Sequence, residues 1–145
     1  MHIQIVNRSS HPLPQRATPG ASGLDIRAWL QEDVTIAPLQ RTLVNTGISL
    51  CLPEGFEGQV RPRSGLATRC GITVLNAPGT IDADYRGEIR VLLINLSSDA
   101  YTLRDGDRIA QLVIASYIPD VVWRLVEELP TSQRNRDGFG STGIA

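Results

Sequence analysis

Glycine and proline cut this chain into pieces too short for most folds. Thirteen glycines and nine prolines are spread over 145 residues, and convincing amphipathic helices are scarce between them. What remains is strand-like. Ile48, Leu50 and Leu52 share a face with Ser49 and Cys51 opposite, the period-two alternation of a half-buried strand. Phe56, Val60 and Pro62 likewise oppose Glu57, Gln59, Arg61 and Arg63. Segments 89–96 and 109–118 are apolar on both faces, as fully buried strands are. Segment 120–129 fits strand or helix, and Val121, Val122 and Trp123 favour strand. A single short helix is predicted over 65–70, with Ser64 capping its start and Gly71 closing its end. Many short strands with Gly/Pro turns predict an all-β sandwich or barrel, in one domain over residues 1–130.

The last stretch, 131–145, changes character. Phe139 is its one large apolar side chain before Ile144, among Ser, Thr, Gly, Arg, Asn, Gln and Asp. Such a composition buries too little surface to order itself. It reads either as a frayed terminus or as a small, donor-rich arm able to wrap a phosphate.

Charge and cysteine usage exclude several classes. A net charge of -1 lacks the basic footprint of a nucleic-acid binder. All 14 basic residues are arginine, whose planar fork meets phosphate bidentately. Cys51 and Cys70 sit outside any CxxC pattern, and His2 and His11 are the only histidines, so a zinc site lacks ligands. Two free thiols fit a reducing, cytoplasmic compartment, and both read as small buried apolar groups. Residues 1–7 carry no signal-peptide pattern, and no apolar run approaches the ~20 residues that span a bilayer.

Three constellations point to a nucleoside triphosphate. Arg63-Ser64-Gly65 opens the short helix, where free N–H groups and the dipole favour an anion; an ordinary capped helix explains it equally well. The tail joins Arg134 and Arg136 to glycines and hydroxyls. Asp82, Asp84 and Glu88 interleave with Tyr85 and Arg86 between Gly79 and Gly87, as a water- or metal-holding loop or as a solvated turn. No Walker loop is present, nor GxSxG, HExxH or a kinase signature.

In order, these segments resemble the trimeric dUTP pyrophosphatase family. The match runs from Ala21 to Gly143 through Ala21-Ser22-Gly23-Leu24-Asp25, Arg61-Pro62-Arg63-Ser64-Gly65, Gly79-Thr80-Ile81-Asp82-Ala83-Asp84-Tyr85, Gly106-Asp107-Arg108-Ile109-Ala110-Gln111 and Gly138-Phe139-Gly140-Ser141-Thr142. The resemblance implies a jelly-roll-like subunit and a homotrimer with exchanged C-terminal arms. It implies magnesium-assisted hydrolysis of dUTP to dUMP and pyrophosphate, which limits uracil in DNA and supplies dUMP for thymidylate. Asp82 would be the general base activating water for in-line attack on the α-phosphorus. Asp25 would hold magnesium through water. Arg63, Ser64, Gly65 and Gln111 would grip phosphates. A hairpin over 76–85 would select the base, through Asn76 and the backbone of Gly79 and Ile81, with Tyr85 beneath the deoxyribose. From the arm, Phe139 would stack on uracil while Arg134, Gly140, Ser141 and Thr142 close over the γ-phosphate.

The fifth motif departs from the family's Arg-Gly-x-Gly-Gly-Phe-Gly-Ser, because Asn135 and Asp137 replace two glycines. Both residue types tolerate left-handed backbone, but Asp137 adds negative charge beside the phosphates. The rival reading within the superfamily is dCTP deaminase; outside enzymes, it is a nucleotide-switched protein-binding regulator.

Overall fold

The computed structural model describes residues 1–132 and 135–136. Short strands dominate, as the Gly/Pro punctuation predicts. A four-stranded sheet has the order β2-β11-β6-β8, from β2 (Leu24–Arg27), β6 (Phe56–Pro62), β8 (Gly79–Ile81) and β11 (Arg108–Ser116). A three-stranded sheet has the order β4-β9-β7, from β4 (Arg41–Asn45), β7 (Ile72–Val74) and β9 (Arg90–Asn95). Two antiparallel ribbons complete the jelly roll: β1 (Gln4–Asn7) with β5 (Ile48–Cys51), and β3 (Val34–Ile36) with β10 (Tyr101–Leu103).

One apolar core joins all four sheets, with Ile26, Ile36, Val44, Leu50, Val60, Ile72, Leu93, Leu103 and Leu112 among its members. Ile48, Leu50 and Leu52 are all buried, as their alternation requires. In β9, Val91, Leu93 and Asn95 are buried while Leu92 and Ile94 are only half-buried, so this strand has one core face rather than the two expected. Asn95 is fully enclosed. Its amide donates to the Ile36 and Asp99 carbonyls, and its oxygen accepts from the backbone and hydroxyl of Ser97. A polar group held this completely costs little to bury and ties the 95–99 turn to the β3 ribbon.

Helix α1 (Ser64–Cys70) forms where predicted, but its cap differs. Arg63 occupies the N-cap position without a side-chain capping bond, and Ser64 is the first helical residue. The Ser64 hydroxyl therefore does not cap the helix. Gly71 closes the helix at φ 66°, donating to the Ala67 and Leu66 carbonyls, a left-handed conformation that favours glycine. The cysteines are free and half-buried rather than buried.

Two further expectations change. Segment 120–129 forms neither strand nor helix. Among the described residues its largest apolar side chains stay open to solvent: Val122 and Trp123 are 90% exposed and Leu125 98%. Strand propensity cannot act without a partner edge. Nor does 76–85 form a two-stranded hairpin of its own, since β8 is its one strand. β7 pairs with β9 and β8 with β6, so the chain crosses between sheets through residues 75–78, which include a cis Ala77–Pro78 bond.

Candidate active site

That crossing builds a cleft of about 250 Å³. Val60, Val74 and Ile89 supply apolar walls, while Asn76, Asp82 and Tyr85 supply polar groups. Gly79 faces Val60 across the β6–β8 ladder; a Cβ there would lie 3.2 Å from the Asn76 amide nitrogen, so glycine admits Asn76 to the wall. Asp82 follows β8 and also lines a wider cleft of about 630 Å³ with Glu54, Asp84, Arg86 and Tyr117. It thus stands between two open spaces, accessible to water from either. Tyr85 is 42% exposed, a wall of the cleft rather than a core aromatic.

Of the three interleaved acids, Glu88 is diverted. Its Oε1 accepts from the backbone N–H groups of Thr46 and Gly47 at 2.9 and 2.7 Å, which makes it an anchor and not a metal-holding group.

A second cluster lies on the outward face of the four-stranded sheet. The antiparallel register places Asp25, Gln111 and Arg61 in one row across β2, β11 and β6. Asp25 Oδ1 faces Arg63 Nε at 3.3 Å and accepts from Gln111 Nε2 at 3.4 Å. Asp25 Oδ2 accepts from Arg108 Nη1 at 3.0 Å. Arg63 also donates to the Arg108 carbonyl. A Cβ on Gly23 would sit 2.9 Å from the Gln111 side chain, so glycine just before β2 leaves room for Gln111 in this position. Sequence reasoning singled out Asp25, Arg63 and Gln111 but missed Arg108, although it stands inside the fourth motif.

Asp82 and the cluster lie toward opposite ends of β6. Asp82 comes just past the Gly58–Ile81 pair, and Arg63 just past Pro62. The strand between them has seven residues and covers about 20 Å.

Among the described residues, no group of three or more His, Cys, Asp or Glu could cage a metal. One carboxylate already held by two guanidiniums fits magnesium only through water, with phosphate oxygens as the other ligands. Arg134, Phe139, Gly140, Ser141 and Thr142 lie outside the described residues. Asn135 takes a φ of 47°, the left-handed backbone expected where the family has glycine.

A family model for dUTPases matches residues 9–143. The chain belongs to the dUTPase family. A deoxyuridine 5'-triphosphate nucleotidohydrolase of Finegoldia magna is 49% identical over 99% of both chains, and one of Ehrlichia canis 55% identical over 96% of this chain and 92% of that one. In fold, this dUTPase resembles the Staphylococcus bacteriophage 80alpha dUTPase solved with dUPNHPP, at TM-score 0.87, 24% identity and 99% coverage of each chain. It also resembles the phage phi11 dUTPase described with a structural Mg(II) ion, at TM-score 0.77 and 23% identity over 90% of this chain and all of that one. No helix among its described residues is long and apolar enough to cross a membrane.

Proposed function

We propose that this dUTPase takes the uracil and deoxyribose of dUTP into the Asn76–Tyr85 cleft and carries the phosphates on the Asp25–Arg63–Gln111 cluster. The reaction, hydrolysis of dUTP to dUMP and pyrophosphate, follows from the family. The observation that carries the assignment of residues is Asp82 lining a small cleft of mixed polar and apolar walls together with Tyr85 and Asn76.

Asp82 is the general base. Its carboxylate accepts a proton from a water that attacks the α-phosphorus, and the bond from that phosphorus to the α,β-bridging oxygen breaks as pyrophosphate departs with the oxygen. Arg63, the Ser64 hydroxyl, the Gly65 amide and Gln111 hold the phosphates in line. The Ser64 hydroxyl does not cap the helix, which leaves it to this role. Asn76, with the backbone of Gly79 and Ile81, reads the pyrimidine edge, and Tyr85 lies against the sugar. Asp25 would hold magnesium through water, and the ion, when bound, would supply positive charge to offset that of the pyrophosphate.

The homotrimer belongs to the same proposal. Asp82 and Arg63 of one chain stand about 20 Å apart, the length of β6, too far to meet at one α-phosphate, so the cleft of one copy faces the cluster of another. Exposed Val122, Trp123, Leu125 and Leu129 supply the apolar surface that a neighbouring copy covers. Residues 131–145 form the arm that brings Arg134, Phe139, Gly140, Ser141 and Thr142 over the bound nucleotide, residues 1–130 forming the body. We place the enzyme in the cytoplasm, where its two free thiols stay reduced.

The test is pyrophosphate release from dUTP, dTTP, dCTP and UTP, with and without magnesium. Only dUTP with magnesium should turn over well. Asp82→Asn should bind dUTP yet lose about 10²–10⁴-fold in turnover, the usual share of a general base. Near-normal turnover by that variant removes Asp82 from its role, and ammonia from dCTP makes the protein a deaminase.

A further inference from the structure

We infer that Glu88 is a positioning residue for sugar discrimination, acting through one peptide bond on Tyr85. The inference rests on the cleft being the nucleoside pocket.

The Glu88–Ile89 peptide unit is held on both sides. Its N–H, on Ile89, donates to the Ile48 carbonyl at 2.7 Å. Its carbonyl, on Glu88, accepts from the Tyr85 hydroxyl at 3.0 Å. In a trans peptide these two groups point in opposite directions, so the unit runs from the β5 strand to the Tyr85 ring. The next carbonyl, on Ile89, accepts from the Thr46 hydroxyl at 2.6 Å, and that hydroxyl in turn accepts from the Ile48 N–H. The Glu88 carboxylate closes the frame from the other end by taking the Thr46 and Gly47 amides. Charge-assisted bonds of this kind are stronger than neutral ones.

The ring has little freedom left. A Cβ on Gly87 would run into the Tyr85 hydroxyl and ring, so Tyr85 lies directly against the Gly87 backbone. Its hydroxyl is fixed by Glu88, its ring is backed by Gly87, and its far side lines the cleft. A sugar carrying an extra hydroxyl is refused only as firmly as that ring is held. With the carboxylate gone, the amides of Thr46 and Gly47 lose their acceptor, the 85–88 turn loosens from the β4–β5 turn, and Tyr85 gains room to yield to a ribose. Selectivity for deoxyribose should therefore fall more than stability does.

The experiment compares kcat/KM for dUTP and UTP in the wild type, Glu88→Ala, Glu88→Asp and Glu88→Gln, alongside thermal stability. In Glu88→Ala the dUTP:UTP ratio should drop about tenfold, the equivalent of one lost hydrogen bond at a positioned group. Glu88→Asp keeps the charge but draws the carboxylate back by about 1.5 Å and should lose part of the ratio; it decides the matter if the alanine variant does not fold. Glu88→Gln keeps an acceptor oxygen in place and should retain the ratio within about threefold. An unchanged ratio in the alanine or aspartate variant overturns the inference, as does a glutamine variant no better than alanine. If the wild type itself fails to hydrolyse dUTP, the proposed function falls instead.

Discussion

Replacing Asp25 by Asn tests whether the outward cluster is held together by one carboxylate. The side chain is 10% exposed and engages Arg63 at 3.3 Å and Arg108 at 3.0 Å. At an effective dielectric of about 20, each such pair is worth about 5–5.5 kcal/mol before desolvation. Desolvating the carboxylate cancels much of that gain. Arg108, 46% exposed, contributes least because water screens it. The substitution is nearly isosteric but cannot satisfy the site. Asp25 uses one oxygen for Arg63 and Gln111 and the other for Arg108. Asn has one oxygen and one NH₂, so in either orientation a donor faces a guanidinium. We expect a loss of about 2–3 kcal/mol, just below the cost of about 3–5 kcal/mol for breaking a fully buried pair because the site is partly open to water, and a fall in Tm of about 5–10 °C at fixed protein concentration. Salt should narrow the gap between wild type and variant. Urea unfolding at low and high ionic strength measures both effects. Binding of dUMP, which needs only the cleft and one phosphate, should weaken less than binding of a non-hydrolysable dUTP analogue. A variant within about 0.5 kcal/mol of wild type, the range of an ordinary surface change, would refute the clamp.

Other expectations are simpler. The backbone N–H of Leu30, followed by the His11 side chain, holds the Asp105 carboxyl below its ordinary value of 3.8. A depressed carboxylate contributes stability that is present above the unfolded pKa and is lost as pH falls through the folded one. Asp105→Asn should therefore be less stable than wild type at pH 7, and the two unfolding curves should converge as pH drops below 3.8; a gap that persists at acid pH contradicts the linkage. Removing residues 134–145 should lower kcat/KM for dUTP about 10–100-fold, the scale of one lost base stack with its neighbouring contacts. Full activity in steady-state hydrolysis by the shortened chain would show that the arm does not close the site.

Much of the fold was legible because burial acts on alternation, which is written along the chain. Ile48, Leu50 and Leu52 had to face inward together, and Gly71 could close α1 without strain. The ordered motifs around Asp25, Arg63, Asp82 and Gln111 were equally readable, since each is a local run of residue types. Three matters were not. Whether Ser64 caps its helix depended on backbone angles at Arg63. Whether Glu88 serves as a ligand or an anchor depended on Thr46 and Gly47, some forty positions earlier in the chain. Whether segment 120–129 becomes a strand depended on a partner edge that these residues do not contain. A sequence by itself determines which side chains must leave water and which turns the backbone can make. Tertiary structure decides which distant amide, carboxylate or guanidinium each polar group meets, because hydrogen bonds and ion pairs act over a few ångströms of space and are indifferent to separation along the chain.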